Sequence, residues 1–271
     1  MQVIRPVDQL PDPIVVTGAA HGIGAATATL AARAGAAVAL LDRDADAAAA
    51  LASRLRDAGA PGPLLALGCD VSEAHSVEAA YAAVASELGA PRGLVASAGI
   101  DRGGLAHELP LADLDAVLAV NLRGTFLSCR AALRSMLDAG GAGGVGGAIV
   151  CVGSPLGAVA APGGTSAYSA SKAGIAALVR TLAVDYGAHG IRVNGVLPGP
   201  TETELMWANV PAAEVEATRA IVGDEVPLGR LADPEEPARA ALWLLSGAAS
   251  YVTGTNLACD GGVLAKASIS V

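Results

Sequence analysis

The stretch that decides the fold runs Ile14-Val15-Val16-Thr17-Gly18-Ala19-Ala20-His21-Gly22-Ile23-Gly24. A β-branched run leads into a glycine-rich turn, and an alanine-rich segment typical of a helix follows it. Glycine permits a tight turn and a close approach of the backbone to a ligand, and a helix N-terminus favours an anion. This order of elements predicts a pyrophosphate site, although a plain glycine turn also fits; the residues of the site would be Gly18, His21, Gly22, Ile23 and Gly24.

A second glycine-rich stretch, 141–146, has the same G-x-G-x-x-G spacing. It follows a predicted helix and precedes a predicted strand, which is the reverse of the order that a phosphate site needs. We therefore interpret it as a flexible connector.

Short β-branched runs alternate with alanine-rich stretches almost from end to end of the chain. This alternation is typical of a parallel sheet with helices on both faces. It predicts an α/β fold: a single Rossmann-like, doubly wound domain over residues 1–271, with a seven-stranded parallel sheet flanked by helices on both faces. Strands are predicted near 13–17, 37–41, 64–69, 93–97, 147–152, 191–197 and 255–259, and helices near 22–34, 44–58, 73–88, 112–138, 165–187 and 234–246.

Two segments fall outside this alternation. Residues 1–12 combine charged residues with prolines and are predicted to form a short N-terminal tail. Residues 201–233 hold Met206 and Trp207 among acidic residues. A long segment of this kind is either a substrate loop or lid, or a disordered excursion on the surface.

Composition excludes several classes of partner and site. The 271 residues carry a net charge of −9 without a cluster of Lys and Arg, so we expect neither nucleic acid nor an anionic membrane as a partner. Residues 139–171 lack charged side chains, but their Gly and Pro content favours a loop or buried segment over a membrane span. The four cysteines are isolated from one another, so we expect no metal site and a reduced compartment, the cytoplasm.

Asp42, at the end of the second predicted strand, points to the choice of cofactor. A carboxylate there accepts hydrogen bonds from ribose hydroxyls and repels a 2′-phosphate, which favours NAD over NADP. His21 and Arg43 argue the other way, because a cation at this site would hold a phosphate. Asp70 and Val71, after the third strand, are placed to meet adenine, although Asp70 before Ser72 also fits helix-start chemistry.

Tyr168 and Lys172 stand four residues apart on a predicted helix, so their side chains share one face. The chain has only one other lysine, Lys266. A neighbouring ammonium favours the phenolate and is expected to lower the pKa of a phenol from ~10 toward neutrality. The pair would then act as general acid and base in alcohol–ketone interconversion, although a solvated surface pair has the same spacing.

Thr17-Gly18-x-x-x-Gly22-x-Gly24 followed by Tyr168-x-x-x-Lys172 resembles the short-chain dehydrogenase/reductase family, and the resemblance covers roughly residues 14–262. Further segments resemble the shorter, single-domain branch of that family: Val120-Asn121-Leu122-Arg123-Gly124-Thr125-Phe126, Ile149-Val150-Cys151-Val152-Gly153-Ser154, Val193-Asn194-Gly195-Val196-Leu197-Pro198-Gly199, and Tyr251-Val252-Thr253-Gly254 with Asp260-Gly261-Gly262.

The resemblance implies a catalytic tetrad. Tyr168 would exchange a proton with the substrate oxygen, and Lys172 would lower the pKa of Tyr168 and hold the nicotinamide ribose. Ser154 would donate to the substrate oxygen, and Asn121 would support a water in a proton relay; the alternatives are a turn residue and a structural amide. The resemblance also implies further cofactor contacts, at Ser97, Ala98 and Gly99 beside the adenosine and at Pro198, Gly199, Thr201 and Thr203 over the nicotinamide.

Three positions depart from the family pattern. Ser97 stands where the family usually has asparagine, and serine makes fewer hydrogen bonds than an amide. The interval from Ser154 to Tyr168 is 14 residues, one more than expected, and the Pro162-Gly163-Gly164 loop would absorb the surplus. Thr201 stands where a branched apolar residue is more usual, which leaves its backbone contact in place.

The leading hypothesis is an NAD-dependent oxidoreductase that acts on a secondary alcohol or ketone. The alternatives are a non-catalytic protein that senses dinucleotides, a nucleotide-sugar epimerase or dehydratase, and a 3-oxoacyl-(carrier protein) reductase. The epimerase branch has a larger C-terminal substrate domain. A carrier-protein reductase is disfavoured by Asp42 and by the lack of a basic docking face.

The predicted substrate pocket is mostly apolar, so we expect an apolar alcohol or ketone, with cyclic ones among the candidates. The family resemblance also suggests a homotetramer, with the helices of Asn121 and Tyr168 at one interface and residues 251–271 at another. The predicted substrate contacts are Ile100, Ser154, Pro155, Leu156, Tyr168, Met206 and Trp207.

Overall fold

The computed structural model describes residues 9–140, 146–161 and 163–266. Its centre is a sheet of seven strands, all paired in parallel. The strands are β1 (Ile14–Thr17), β2 (Val38–Asp42), β3 (Leu64–Gly68), β4 (Gly93–Ala96), β5 (Gly147–Val152), β6 (Ile191–Pro198) and β7 (Asn256–Cys259). Their order across the sheet is β3-β2-β1-β4-β5-β6-β7.

The strand order reverses at β1, which pairs with β2 on one side and with β4 on the other. The connections that leave β1 and β4 therefore diverge to opposite faces and open a crevice at the carboxyl ends of these strands. In open α/β sheets ligands bind in such a crevice.

Helices cover both faces of the sheet. They are α1 (Gly22–Arg33), α2 (Ala45–Asp57), α3 (Ala74–Glu87), α4 (Leu111–Val117), α5 (Gly124–Gly140), α6 (Ser166–Tyr186), α7 (Glu204–Trp207), α8 (Val215–Glu225) and α9 (Glu235–Leu245). A π-helical stretch, Leu118–Arg123, joins α4 to α5 without a break.

The core has two layers because each strand contributes side chains to both faces of the sheet. Ile14 and Val16 of β1 are buried with apolar side chains of α1, α2 and α9, whereas Val15 is buried with those of α3, α5 and α6. All three residues are fully buried, as expected for a central parallel strand. The predicted fold class, with its seven strands and six long helices, is confirmed.

The segment 201–233 is ordered, and its two helices, α7 and α8, were not predicted. Both ends of the segment are tied together. Thr201 pairs with Ala232, the Glu202 N–H donates to the Ala232 carbonyl at 2.9 Å, and the Ala232 N–H donates to the Pro200 carbonyl at 2.9 Å. The alternative of a disordered excursion was wrong, because these contacts close the segment at its base.

Two other predicted segments extend beyond the described residues. Residues 1–8 of the predicted tail lie outside them, whereas Gln9 accepts from the Gly247 N–H at 3.1 Å and Asp12 from the Ala37 N–H at 2.7 Å. In the predicted glycine connector, residues 141–145 also lie outside the described part of the chain.

One helical stretch in the described residues, Leu111–Ala139, is long and apolar enough to span a membrane by length and composition. Cys129, Leu133 and Met136 from this stretch are buried in the layer under the sheet. A core helix of the fold therefore accounts for its apolar character.

Arg192 at the start of β6 ties the end of α9 to the loop before β7. Its guanidinium donates to the carbonyls of Leu244, Leu245, Ser246 and Val252 at 2.7 to 3.2 Å. Three of these carbonyls belong to the last residues of α9 or its C-cap, where a helix leaves acceptors without partners of its own. Arginine suits this position because its planar fork presents several donors at once.

We expect Arg192→Lys to lower the free energy of unfolding by about 2 kcal/mol, because an ammonium cannot serve all four carbonyls and buried acceptors are left without donors. Chemical denaturation followed by circular dichroism measures this loss. Arg239→Lys is the matched control, since Arg239 makes only an exposed ion pair with Glu235 on α9 and such pairs contribute little. Equal free energies of unfolding for the two variants would show that Arg192 does not stabilise the fold as proposed.

Candidate active site

The glycine loop between β1 and α1 has the geometry that the sequence predicted. Gly18 and Gly22 have φ angles of +65° and +49°, a region that favours glycine. A Cβ on Gly18 would lie 2.8 Å from the Cα of Ala98, and a Cβ on Gly24 would collide with the carbonyl oxygen of Gly18. Side chains at these positions would collide with the protein's own backbone, so the tight packing of the loop against the residues after β4 requires glycine.

The N-terminus of α1 is suited to an anion. His21 at the N-cap makes no side-chain hydrogen bond to the first turn, and that turn contains no acidic residue. The N–H groups of the first turn therefore have no cap from this residue, and the helix dipole adds a positive potential. These features fit the pyrophosphate of a nicotinamide dinucleotide.

The end of β1 is hydrogen-bonded to the residues that follow β4, next to this loop. The buried Thr17 hydroxyl accepts from the N–H groups of Ser97 and Ala98 at 3.2 and 3.4 Å. A Cβ on Gly99 would lie 3.4 Å from Asn121 Oδ1 and 3.7 Å from Lys172 Nζ. The Ser97-Ala98-Gly99 stretch thus runs from the glycine loop to the catalytic candidates, and its cofactor contacts remain predictions.

Asp42 lies at the carboxyl end of β2 and faces the glycine loop. Its Oδ2 accepts from the Ala20 N–H at 2.9 Å, and its Oδ1 accepts from the Asp44 N–H at 3.0 Å. These contacts fix the carboxylate at the position expected to read the ribose. Arg43 beside it is exposed, and its charge helps to lower the pKa of Asp70.

Asp70 stabilises the turn that follows β3. Its Oδ1 accepts from both the N–H and the hydroxyl of Ser72, at 2.9 and 2.7 Å, and this hydroxyl is the main cause of the lowered pKa of Asp70. The turn chemistry that the sequence left open is therefore present. Val71 is buried against Gly124 at the start of α5, and an adenine contact by either residue remains a prediction.

Tyr168 and Lys172 share one face of α6, as their spacing predicted. The Nζ of Lys172 lies 5.3 Å from the centre of the Tyr168 ring and donates to the Val152 carbonyl of β5 at 2.9 Å. Lys172 is 3% exposed, so the surface-pair alternative was wrong.

The pKa values of this pair differ from the expectation. Burial, together with the negative charge of Asp101, raises the pKa of Tyr168 to about 12, and a hydrogen bond with Ser154 only partly opposes the rise. Burial lowers the pKa of Lys172 to about 8. The prediction that Lys172 lowers the pKa of Tyr168 was wrong for the protein without cofactor, because desolvation dominates and the ammonium lies against the ring and a carbonyl.

Ser154 reaches Tyr168 despite the extra residue between them. The two side chains form a hydrogen bond, and the Ser154 hydroxyl also accepts from the Leu156 N–H at 3.2 Å. Gly163 and Gly164 adopt positive φ angles in the intervening loop, whereas Pro162 lies outside the described residues. The surplus residue therefore leaves the serine next to the phenol.

Asn121 holds three parts of the site together. Its Oδ1 accepts from the Ile100 N–H at 2.8 Å, and its Nδ2 donates to the Ile100 carbonyl at 2.9 Å and to the Ser171 hydroxyl at 3.0 Å. The side chain is fully buried within the π-helical stretch. The structural-amide alternative describes these contacts, and the role in a water relay remains a prediction.

The turn after β6 lies over the same edge of the sheet. A Cβ on Gly199 would lie 2.7 Å from the Cα of Asp260, so this position has no room for a side chain. The Thr201 hydroxyl donates to the Gly199 carbonyl at 2.8 Å. The Thr203 hydroxyl accepts from the Met206 N–H at 3.3 Å as the N-cap of α7, and its methyl group lies beside Gly22.

The segment 201–233 also touches the glycine loop through His21 Nδ1, which lies 3.5 Å from a carboxylate oxygen of Glu204. The indole N–H of Trp207 donates to Glu202 at 3.2 Å, and the Arg219 guanidinium lies 5.1 Å from the Trp207 ring centre. Trp207 thus stabilises the segment internally. Substrate contacts by Met206 and Trp207 remain predictions.

An open cavity of about 730 Å³ lies beside the catalytic helix. Its wall is mostly apolar and includes Leu105, Leu156 and Val159 together with small residues of α6. Pro155 is buried at the start of the 3₁₀ turn that carries Leu156, and Ile100 is held by Asn121. Leu156 is the one predicted substrate contact that lines this cavity among the described residues, and Tyr168 does not line it, so the apolar character of the substrate pocket remains a prediction.

Sequence reasoning missed Asp101, Ser171 and Asn209. Asp101 acts on the pKa of Tyr168, Ser171 bonds to Asn121, and Asn209 donates to Asp101 at 3.2 Å. Asp101 could have been found as an acidic residue in the loop after a central parallel strand, where ligands bind. Ser171 and Asn209 carry no comparable signal.

Comparisons with known proteins agree with this geometry. A family model described as enoyl-(acyl carrier protein) reductase matches residues 18–264. The chain is 48% identical to cis-4-hydroxycyclohexanecarboxylate dehydrogenase of Sinomonas cyclohexanicum, over 93% of this chain and 96% of that protein. It is 43% identical to D-threitol dehydrogenase of Mycolicibacterium smegmatis, over 93% of this chain and 92% of that protein.

A solved structure has the same fold. It is a short-chain type dehydrogenase/reductase from Mycobacterium marinum, with a TM-score of 0.89 and 33% identity over 97% of this chain and all of the other. The glycine loop, the Tyr168–Lys172 pair and these similarities lead to one conclusion: the chain belongs to the short-chain dehydrogenase/reductase family.

Proposed function

We propose that the protein is an NAD-dependent oxidoreductase that transfers a hydride between nicotinamide and a secondary alcohol or ketone. Family membership and relatives named as dehydrogenases of hydroxycyclohexanecarboxylate and of threitol support an oxidoreductase that acts on alcohols. The observation that carries the proposal is the cluster in which the half-buried Tyr168 lies with the buried side chains of Ser154 and Lys172.

Tyr168 would move the proton. In the oxidative direction the Tyr168 phenol would first lose its proton to solvent. The phenolate would then take the proton of the substrate hydroxyl while the carbinol C–H bond breaks and its electron pair leaves as hydride. When bound, the oxidised nicotinamide supplies the hydride acceptor and a positive charge. A cation beside a phenol favours its anion, which opposes the desolvation that raises the pKa of Tyr168 in the protein alone.

Ser154 and Lys172 would orient and stabilise the reacting groups. The Ser154 hydroxyl is bonded to Tyr168, so it can donate to the same substrate oxygen as negative charge develops there. Lys172 is fixed by the Val152 carbonyl and would hold the nicotinamide ribose. Asn121 would act as a positioning residue that keeps Ile100 and Ser171 in place.

The preference for NAD rests on Asp42. Its carboxylate is anchored by two backbone N–H groups at the end of β2 and would repel a 2′-phosphate. Arg43 is the cation that would favour NADP, but its positive charge also interacts with Asp70, whose pKa it helps to lower. Asp42 therefore outweighs Arg43 in the proposed site.

The substrate would have an apolar carbon skeleton, and 201–233 would act as its lid. The wall beside the catalytic helix is mostly apolar, and the segment reaches the glycine loop through Glu204 and His21. We also propose a homotetramer in the cytoplasm. Phe126 and Val184, on α5 and α6, are 45% and 82% exposed, which supports an interface on the helices that carry the site.

A carrier-protein reductase is the second candidate, because the matching family model is described as an enoyl-(acyl carrier protein) reductase. The net charge of −9 disfavours docking of an acidic carrier. A non-catalytic dinucleotide sensor is the third, and it would not need the Tyr168–Ser154 pair. A panel of secondary alcohols, ketones and acyl thioesters, assayed with NAD and NADP in parallel, separates these functions.

We expect Tyr168→Phe to lower kcat by about 10²–10⁴-fold while leaving the Kd for NAD within about threefold, because only the proton-transfer group is lost. Alcohol oxidation followed by NADH absorbance and NAD binding by calorimetry measure the two quantities. Tyr186→Phe removes the same hydroxyl at the far end of α6 and serves as the control. Unchanged turnover by Tyr168→Phe would refute the assigned role.

We expect Asp42→Asn to lower the ratio of kcat/KM for NAD to that for NADP by about tenfold or more, since loss of a charge beside a phosphate is worth over ~1.4 kcal/mol. Steady-state rates with both cofactors measure the ratio. Asp46→Asn makes the same change in net charge on the exposed first turn of α2. An equal change of the NAD-to-NADP ratio in Asp46→Asn and Asp42→Asn would contradict the proposal.

A further inference from the structure

The first part of the segment 201–233 bridges the crevice of the sheet. Residues 203–209, which we call the crossing segment, contain the short helix α7 and contact a loop on either side of the crevice. One is the glycine loop between β1 and α1, and the other is the loop after β4. Because the crevice opens between these two connections, the crossing segment lies where a dinucleotide would have to enter.

The start of the crossing segment contacts the glycine loop. A carboxylate oxygen of Glu204 lies 3.5 Å from Nδ1 of His21, the N-cap residue of α1. The methyl group of Thr203 is so close that a Cβ on Gly22 would lie 3.0 Å from it. The crossing segment therefore begins against the helix N-terminus that is suited to an anion.

The end of the crossing segment contacts the loop after β4. The side-chain amide of Asn209 donates to Oδ2 of Asp101 at 3.2 Å, and a Cβ on Gly103 would lie 3.4 Å from the same nitrogen. Asp101 follows Ile100, whose N–H and carbonyl are both bound by the buried side chain of Asn121. This anchor is fixed to the core, so opening of the crevice requires the crossing segment to move.

The crossing segment is braced internally but held only weakly at its two ends. The Glu202 carboxylate accepts from the Trp207 indole N–H at 3.2 Å and from Nε of Arg219 at 2.7 Å, which joins α7 to α8. By contrast, the side chains of Glu204 and Asn209 are both exposed. Exposed polar contacts contribute little individually, so either end can leave its loop at a small cost in free energy.

We propose that Glu204 and Asn209 are positioning residues that hold the crossing segment closed over the crevice, so that their two contacts set the rate at which a nicotinamide dinucleotide enters and leaves. This inference rests on the binding of that cofactor in the proposed function, and not on hydride transfer. Both contacts join groups of the protein to each other, so we expect them to hold the segment before the cofactor binds and after it.

Such a contact has a kinetic signature that differs from that of a residue that binds the cofactor directly. Weakening a contact that closes the crevice makes opening more frequent, which raises the association and dissociation rate constants together and leaves Kd nearly unchanged. Loss of a direct contact raises the dissociation rate constant and Kd. Loss of a charge that repels the pyrophosphate lowers Kd instead.

The test is a stopped-flow measurement of NADH binding and release, followed by nicotinamide fluorescence, with NADPH measured in parallel. The variants are Glu204→Gln, Asn209→Asp and an exchanged pair that combines Asp101→Asn with Asn209→Asp. Asn209→Asp sets two carboxylates against each other, whereas the exchanged pair restores an amide that faces a carboxylate. Glu214→Gln is the control for charge, because it removes an exposed carboxylate from the N-cap of α8. Thermal unfolding checks that each variant folds.

We expect Glu204→Gln and Asn209→Asp each to raise both rate constants by about three- to tenfold with Kd within about threefold, as the loss of one polar contact implies. The exchanged pair and Glu214→Gln should both lie within about twofold of the wild type. Unchanged rate constants in Glu204→Gln and Asn209→Asp, or an exchanged pair as fast as Asn209→Asp alone, would overturn the inference. A rise of the dissociation rate constant with a matching rise of Kd would overturn it as well.

The measurement separates this inference from the proposed function, because it needs no substrate and leaves Tyr168 intact. A protein whose NADH rate constants respond as expected but that oxidises no alcohol would refute the proposed function and keep the inference. An active alcohol dehydrogenase whose NADH rate constants do not respond to Glu204→Gln or Asn209→Asp would do the reverse.

Discussion

The buried amide of Asn121 is the interaction on which the rest of the site depends. It joins the loop after β4 to α6, because it binds both backbone groups of Ile100 and the hydroxyl of Ser171. Ser171 in turn donates to the Tyr168 carbonyl at 2.7 Å and directly precedes Lys172. One side chain therefore fixes the distance between the reacting phenol and the loop that carries Asp101.

The local backbone around Asn121 departs from a regular helix. Residues Leu118–Arg123 form a π-helical stretch between α4 and α5, and such stretches are frequent at functional sites. The π-helical turn places the Asn121 amide next to the point at which the strand order of the sheet reverses. The irregularity is thus consistent with a helix that positions a polar side chain inside an apolar layer.

Burial sets the electrostatics of the site. Tyr168 and Lys172 are both disfavoured in their charged forms, and Asp101 adds a negative charge that further opposes a phenolate. The protein alone therefore keeps the proton on the phenol. A cation bound in the crevice would favour the phenolate and oppose this effect, so we expect proton release from Tyr168 to depend on the oxidised cofactor.

The sequence was sufficient to predict the fold and the pairing of Tyr168 with Lys172 on one face of α6. The strand–glycine–helix order at 14–24 and the spacing of Tyr168 and Lys172 depend on local geometry, which a sequence pattern records directly. The pKa of Tyr168 could not be predicted in this way, because desolvation depends on every element packed around it. Asp101 and Asn209 were missed for a similar reason: they are 108 residues apart in the chain, and the packing of the segment 201–233 brings them together.

We infer that burial keeps Tyr168 protonated until the cofactor is bound. The most direct measurement is an NMR titration of tyrosine Cζ in the wild type and Tyr168→Phe, with and without saturating NAD. The account predicts that the Tyr168 signal titrates well above its ordinary value of about 10 in the free protein and at lower pH with NAD bound. A phenol that titrates at or below its ordinary value in the free protein, or is unaffected by NAD, would contradict it.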